Sequence, residues 1–281
     1  MQFGASTFVW ASPFGTDTLD LIDKVKEFGF DLIEICVEQP ETIDTRLVRA
    51  RLNAVDLKPL VCGAFGPDRD MSAEYDAVRD NAATYLRQCV DIAHALGSPT
   101  VSGPMYAGVG NTTARTIEER RAQWDRAADR LRPVADYASG LGVRLALEPL
   151  NRFETDLINT VEQALRFLDD VGRANVGLLI DTFHMNIEEK DIPAAIRRAG
   201  GRIFEFHACA NDRGTPGEDH LPWPAIVAAL ADVSYQGPVV IEAFTPKIKE
   251  IARAVSLWRP LAESQDALAS NGLAHLRRVF G

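Results

Sequence analysis

The sequence predicts an α/β fold: a (β/α)8 barrel of eight parallel strands in a single domain, 1–281, with a helical extension over 260–281. Eight short apolar runs bounded by Gly or Pro alternate with helical segments. Parallel strands that are covered by helices outside and packed inside a barrel show such nearly continuous apolar runs. A barrel of this kind needs about 250 residues, so the length fits one domain.

The eight predicted strands share an apolar centre and a turn-forming flank. They cover residues 2–8, 31–36, 58–64, 99–103, 143–148, 176–181, 202–207 and 238–243.

Helical periodicity and helix end signals separate these strands. Apolar residues from Leu21 to Phe28 follow three- and four-residue steps and stop before Gly29, a plausible C′ glycine. The segment 72–96 keeps one apolar face and breaks at Gly97. Both segments are therefore predicted to be helices.

Two later helices are predicted from their N-terminal signals. Thr116 with Glu119, and Thr160 with Gln163, have the spacing of capping boxes. Pro133 falls inside the first of these helices and is expected to kink or divide it.

No composition shift or long linker marks a domain boundary. The tail holds apolar residues at helical spacing, and we expect it to cover the barrel or a partner subunit: Leu261, Leu268, Leu273, Leu276 and Phe280.

Composition limits the partners. A net charge of −10, from 40 acidic and 30 basic residues, argues against attraction to nucleic acid or to an anionic membrane. Charges interrupt every apolar stretch before the roughly 18 residues of a membrane span. The segment MQFGASTFVWAS lacks the pattern of a secretory signal, so a cytoplasmic location is expected. A small neutral ligand is the natural partner.

The four cysteines, Cys36, Cys62, Cys89 and Cys209, show no C-x-x-C spacing. This spacing indicates neither a structural zinc site nor a redox pair. We expect reduced thiols, with Cys36 and Cys62 buried in strands.

Four polar side chains end consecutive predicted strands: Glu148, Asp181, His207 and Glu242. Side chains at the carboxyl ends of barrel strands point into the mouth, where chemistry takes place. Three oxygen ligands and one nitrogen ligand suit Mn²⁺, Mg²⁺ or Co²⁺. Any one of these residues alone could instead cap a helix or pair with an arginine. The four together predict one divalent metal site.

Around these positions the chain resembles ketose 3-epimerases of the D-tagatose and D-psicose (allulose) 3-epimerase type, in the xylose-isomerase-like TIM barrel superfamily. The resemblance is strongest over 145–244, in LEPLNRFETDLINT, LLIDTFHMNIEE, HACANDRGTPGEDHLPW and VVIEAF. The first hundred residues resemble the family in layout and in FGFDLIEI and CGAFGPDRDMS.

The resemblance implies roles for individual residues. It places the metal ligands on the same four strand-end residues, with one divalent ion per subunit, Mn²⁺ first and Co²⁺ or Mg²⁺ as alternatives. It places substrate-binding residues at Glu154, His184 and Arg213. It also implies a homodimer or a homotetramer. Five further residues are candidates for the wall of the sugar pocket: Phe8, Trp10, Gly66, Tyr106 and Phe244.

Inverting C3 of a ketose requires removing a proton next to the C2 carbonyl and returning one to the opposite face. Glu148 and Glu242 are expected to serve the two faces as catalytic base and acid, with an enediolate stabilised by the metal.

Other functions remain open at this point. An aldose–ketose or hydroxypyruvate isomerase could use the same two carboxylates to move a proton between C1 and C2. A phosphodiesterase related to DNA-repair AP endonucleases would need more histidines than the five present and a basic stripe. A sugar-binding relative without catalysis is the third class. Glu34 could hydrogen-bond near the mouth or support a ligand.

Overall fold

Eight parallel strands close into a barrel in the computed structural model, which describes all residues from 1 to 281. The strands follow one another around the barrel in chain order. They are β1 Gln2–Ser6, β2 Leu32–Val37, β3 Lys58–Gly63, β4 Thr100–Gly103, β5 Arg144–Leu147, β6 Val176–Asp181, β7 Ile203–His207 and β8 Pro238–Ile241. The predicted fold class is confirmed.

Ten α-helices accompany the strands. They are α1 Asp20–Glu27, α2 Thr45–Val55, α3 Asp76–Leu96, α4 Ile117–Gly140, α5 Val161–Val171, α6 Thr182–Glu188, α7 Ile192–Ala199, α8 Trp223–Asp232, α9 Lys249–Ala254 and α10 Gln265–Phe280.

The predicted helix signals are present as contacts. The backbone N–H of Thr116 donates to Glu119 Oε2 at 2.7 Å, and the N–H of Glu119 donates to Thr116 Oγ1 at 3.2 Å. Thr160 and Gln163 form the same box at the start of α5. Gly29 and Gly97 adopt positive φ angles of 88° and 84° just beyond α1 and α3.

Pro133 does not divide α4, which runs without interruption from Ile117 to Gly140. On either side of the proline, Leu131 and Val134 are fully buried. Packing of this face against the barrel therefore outweighs the roughly 3 kcal/mol that an interior proline costs a helix.

The predicted C-terminal helix is present as α10, and it packs against β1, β8 and α8. Leu268, Leu273 and Leu276 are buried in this contact. Helix α10 therefore covers the barrel of its own chain where the eighth strand meets the first. None of the helices combines the length and the apolar character needed to cross a membrane.

Candidate metal centre and active site

A cavity of about 240 Å³ opens at the carboxyl ends of the strands. Its polar lining includes Glu148, Glu154, His184, Arg213 and Glu242. Its apolar lining includes residues just after β1, residues at and just after the end of β3, and residues in and just after α9: Phe8, Cys62, Ala64, Phe65, Ile251 and Val255. A pocket that combines several convergent polar groups with an apolar lining suits a small polar ligand.

The four strand-end residues converge below this cavity. Asp181 and His207 end β6 and β7, whose register places them side by side. Glu148 and Glu242 directly follow β5 and β8. One donor atom from each of the four lies within 4.8 Å of the others, and all four residues are buried.

The orientation of His207 fits a cation. Its Nδ1 is buried without a hydrogen-bond partner and lies 3.9 Å from Asp181 Oδ2 and 3.8 Å from Glu242 Oε1. Although burial opposes the charged form, the charge of Glu34 and contacts with the carboxylates of Glu205 and Glu242 raise the pKa of His207 well above its ordinary value, so without a metal Nδ1 carries a proton that a cation would replace. The donor set of three carboxylates and one imidazole suits a divalent ion.

The charge balance leads to the same interpretation. Three buried carboxylates face the cavity floor, and the Arg213 guanidinium supplies one positive charge, with Nη1 donating to Glu242 Oε2 at 3.0 Å. With His207 neutral and all three carboxylates ionised, as metal binding requires, two formal negative charges remain, which a divalent cation would neutralise. Buried charges without such compensation are strongly unfavourable.

Burial and mutual repulsion set the pKa values of the carboxyl groups in the protein alone. Burial, followed by the charges of Glu242 and Asp181, raises the pKa of Glu148 well above its ordinary value. Burial also raises the pKa of Asp181 to about 6. Burial would raise the pKa of Glu242, but attraction to His207 and Arg213 outweighs it and lowers that pKa to about 2.

A buried carboxylate orients His207 from behind. The imidazole Nε2 lies 2.9 Å from Glu34 Oε2, and Ser102 donates to the same oxygen at 3.3 Å. With the proton on Nε2, Nδ1 stays free for a cation. Glu34 therefore supports the candidate ligand His207, which is one of the roles that the sequence left open for it.

Glu205 is a buried residue that the sequence reasoning missed. Its Oε1 lies 3.7 Å from His207 Nε2, and neither carboxyl oxygen has a hydrogen-bond partner. The signal was present in IFEFH, because residues two apart on a strand share a face. Glu205 therefore lies on the same face of β7 as the candidate ligand His207.

We expect Glu34→Gln to weaken binding of the catalytic metal by about 10- to 100-fold, the usual cost of losing an outer carboxylate partner of a ligating histidine. The matched control is Glu205→Gln, a neighbouring carboxylate too far from Nε2 to accept its hydrogen bond. Calorimetric titration of the metal-free proteins measures both. Equal affinities in Glu34→Gln and the unmodified protein would contradict the orienting role.

Arg213 bridges the metal ligands and the predicted substrate residues. Its Nη2 lies 3.6 Å from Glu154 Oε1, while Nη1 bonds Glu242. The guanidinium lies over the rings of Phe183 and Phe244, at 4.2 and 4.6 Å from their centroids. Its φ of 64° lies in the left-handed region, a strained conformation that concentrates at functional sites.

His184 is held as a neutral imidazole. The backbone N–H of Asn151 donates to its Nδ1 at 3.0 Å, which assigns the ring proton to Nε2. Nε2 then faces Glu148 Oε1 at 3.5 Å. Burial, and then the charge of Arg213, lower the pKa of His184 well below its ordinary value.

Three of the five wall candidates line the cavity, and two do not. Phe8, Gly66 and Phe244 are lining residues, and the rings of Phe8 and Phe244 lie 5.2 Å apart.

Trp10 and Tyr106 are placed elsewhere, which corrects the sequence-based expectation. The Trp10 ring stacks on Phe28 and its Nε1 donates to Asp266 of α10 at 2.6 Å. Tyr106 is fully buried and donates to the Ile158 carbonyl at 2.9 Å. The polar group of each ring forms its hydrogen bond outside the cavity. Both rings therefore stabilise the structure around the mouth of the barrel.

The cavity also includes Glu38, directly after β2, and the α9 segment, neither of which was predicted. Glu38 had the same signal as the metal ligands, a carboxylate immediately beyond an apolar strand. The α9 side chains had no such signal, since their apolar residues are typical of any helix.

Comparison with known proteins identifies similar chains. A family model described as a xylose isomerase-like TIM barrel matches residues 22–278. A probable ketose 3-epimerase of Synechocystis sp. is 34% identical over 280 residues, which cover 100% of this chain and 97% of the relative. A D-psicose 3-epimerase of Agrobacterium fabrum is 32% identical, covering 97% and 95%. A solved L-ribulose 3-epimerase superposes with a TM-score of 0.94 at 33% identity, covering 99% and 94% of the two chains.

Proposed function

Because the chain belongs to the xylose isomerase-like TIM barrel family and, within it, to the ketose 3-epimerases, we propose that it inverts C3 of unphosphorylated ketoses. The observation that carries this proposal is the convergence of Glu148, Asp181, His207 and Glu242 within 4.8 Å at the floor of a cavity. The enzyme is thus an isomerase of the epimerase class.

The reaction requires two proton-transfer groups, one on each face of C3. When bound, a divalent cation would polarise the C2 carbonyl and stabilise the negative charge that develops after deprotonation. Glu148 and Glu242 border the cavity. The carboxylate oxygens of one glutamate would take up the C3 proton, and those of the other would return a proton to the opposite face. In the metal-free protein, burial raises the pKa of Glu148, whereas contact with His207 and the charges of His207 and Arg213 outweigh burial and lower the pKa of Glu242. After each turnover the roles exchange, so the reaction is reversible.

Three polar side chains would hold the C1 to C3 end of the sugar. His184 directs Nε2–H into the cavity, and Arg213 Nη2 lies 3.2 Å from that nitrogen. Both nitrogens are donors, and a substrate oxygen that accepts from both would complete the arrangement. Glu154 can accept from a sugar hydroxyl. The apolar lining residues, such as Phe8 and Phe244, would limit access of water to the reacting atoms.

The substrates we propose are the pairs D-psicose and D-fructose, D-tagatose and D-sorbose, and L-ribulose and L-xylulose. We propose Mn²⁺ as the metal, with Co²⁺ or Mg²⁺ as substitutes, because oxygen-rich sites discriminate poorly among these ions. We further propose a cytoplasmic homodimer or homotetramer. Large apolar side chains exposed on the single chain, such as Ile117 and Trp258, are candidates for subunit contacts, which light scattering of surface variants would test.

A screen of all ketohexoses and ketopentoses in D₂O with added Mn²⁺ tests the activity. We expect C3 epimers that carry deuterium at C3. Aldose products with C3 untouched would instead indicate an isomerase that acts between C1 and C2. Nicking of an abasic DNA duplex would favour the phosphodiesterase class.

We expect Arg213→Lys to lower kcat/KM by about 10- to 100-fold, the usual worth of one or more hydrogen bonds to a charged group. Lysine keeps the positive charge beside Glu242 but loses the planar fork that reaches Glu242 and Glu154 together. Steady-state kinetics with metal in excess measure the change, and metal titration serves as the control. Unchanged values of kcat/KM would show that Arg213 does not contribute to substrate binding.

A further inference from the structure

A second cluster of metal-binding side chains lies in the barrel interior, on β2 and β3. Cys36 and Cys62 are register partners on these neighbouring strands. Glu34 precedes Cys36 by two residues and therefore projects from the same face of β2. A carboxylate oxygen of Glu34 and the two sulfur atoms lie within 4.8 Å of one another, and all three residues are buried.

The protein's own contacts leave this cluster incomplete. Glu34 is 0% exposed, and its Oε1 has no hydrogen-bond partner. Cys36 Sγ lies 3.1 Å from Ser6 Oγ, and Cys62 Sγ is 3.7 Å from the Gly63 carbonyl. Thiols are weak hydrogen-bonding groups. A buried carboxylate that keeps one oxygen without a partner, in a cluster with two thiols, is therefore an unfavourable arrangement unless a ligand completes it.

The cluster can be reached from the active site. Cys62 lines the catalytic cavity, and Cys36 packs beside it with Phe8 and Phe244. The other cysteines differ in their setting: Cys89 belongs to α3, and Cys209 lies 3.1 Å from Asp181 Oδ2.

We propose that Glu34, Cys36 and Cys62 bind a thiophilic divalent cation such as Zn²⁺ or Cd²⁺, at a site separate from the catalytic metal centre. Two sulfur ligands and one oxygen ligand suit a borderline-soft ion, whereas the catalytic set of three carboxylates and one imidazole suits harder ions. Binding forms two metal–sulfur bonds, and the two thiol protons leave to solvent.

Occupation of this site is inhibitory. Glu34 accepts the hydrogen bond that orients His207, at 2.9 Å. A cation that draws the Glu34 carboxylate toward the sulfurs competes with that contact and so weakens the catalytic metal centre. This consequence rests on the proposed epimerase function, but the binding itself does not.

Titration of the Mn²⁺-loaded protein with Cd²⁺ tests the proposal. Bound cadmium is counted by elemental analysis, and thiolate-to-cadmium charge transfer is followed in the ultraviolet. We expect one cadmium ion per chain with a charge-transfer band. Cys36→Ser and Cys62→Ser should each weaken this binding by more than about 100-fold, because each variant removes a direct ligand. Loss of an outer partner of a ligand costs only about 10- to 100-fold. Cys89→Ser, a buried thiol outside the barrel interior, should bind as the unmodified protein does.

Three results would overturn the site. The first is a charge-transfer band that persists in both Cys36→Ser and Cys62→Ser. The second is a band that disappears only in Cys209→Ser, which would locate the ion beside Asp181. The third is cadmium bound without any band, which would indicate exchange at the catalytic centre alone.

Cadmium NMR of the unmodified protein provides a measurement that needs no variant, because thiolate ligands move the resonance strongly downfield. A resonance in the range of oxygen and nitrogen ligands alone would overturn the proposal even if the serine variants failed to fold. None of these readouts depends on turnover, so failure of the cation site and failure of the epimerase function are distinguishable.

Discussion

Replacing either glutamate of the proposed proton-transfer pair should abolish epimerisation while the fold remains intact. We expect Glu148→Gln and Glu242→Gln each to lower kcat by about 10⁴-fold, the upper end of what one acid–base group contributes. Glutamine keeps a carbonyl oxygen for the cation but cannot take up or return a proton. Both side chains lie at the cavity, so each loss removes one face of the reaction.

Isotope exchange separates the two roles. With one carboxylate left, each variant should still exchange the C3 proton of one epimer with D₂O, and the two variants should act on opposite epimers. Product formation would be absent in both. Glu189→Gln is the matched control, because its amide oxygen can still accept the Val161 N–H that Glu189 Oε1 accepts at 2.7 Å. Exchange by both variants with the same epimer would refute the two-base mechanism.

The convergence of the four strand-end residues was predictable because it follows from the topology of the barrel. Carboxyl ends of parallel strands meet at one rim of a barrel, so residues that end consecutive strands must converge. Asp181 and His207 occupy the last positions of β6 and β7, and Glu148 and Glu242 lie one residue beyond β5 and β8. An error of one residue in the predicted end of a strand still leaves the residue at that rim of the barrel.

The wall of the cavity was less predictable, because the sequence does not indicate which way an aromatic side chain turns. Trp10 and Phe8 are two residues apart near the end of β1, yet only Phe8 lines the cavity. The Trp10 indole is drawn outward by Asp266, which is 256 residues distant in the chain. Contacts of such long range are set by tertiary packing and leave no local pattern.

The pairing of Cys36 with Cys62 in the barrel interior was also not predictable from the sequence. Cys36 and Cys62 are buried strand residues, as the sequence predicted. Their pairing depends on the register of β2 with β3, and a shift of one residue would place the two thiols on opposite faces. Spacing along the chain shows no trace of that register, so a site formed by Glu34 and both thiols appears only in three dimensions.

Removal of the metal should abolish activity and lower thermal stability together. A cation present at 100 times its Kd stabilises the folded state by about 2.7 kcal/mol. For a chain of this size that corresponds to a change in Tm of about 5–10 °C. Dialysis against a chelator, followed by readdition of Mn²⁺, should lower and then restore both quantities. Full activity after complete removal of metal would exclude a metal-dependent mechanism.

Removing the metal should lower the stability of the unmodified protein, whereas replacing Asp181 with asparagine should raise the stability of the metal-free protein. In the metal-free protein Asp181 has a pKa of about 6, raised from 3.8 by burial and by Glu242. The folded protein then holds this proton more tightly than the unfolded chain, so stability falls as pH rises from 3.8 to about 6.

The asparagine cannot ionise, and its Oδ1 can still accept the Phe183 N–H that begins α6. We therefore expect metal-free Asp181→Asn to be more stable than the metal-free unmodified protein by about 1 to 3 kcal/mol at neutral pH. It should also be inactive and show no increase in Tm with Mn²⁺. Chemical denaturation at several pH values measures the difference, and lower stability of the variant would show that the carboxylates are not repelling one another. Stability and function then oppose each other at this position, because the charge that destabilises the empty centre is the charge that binds the cation.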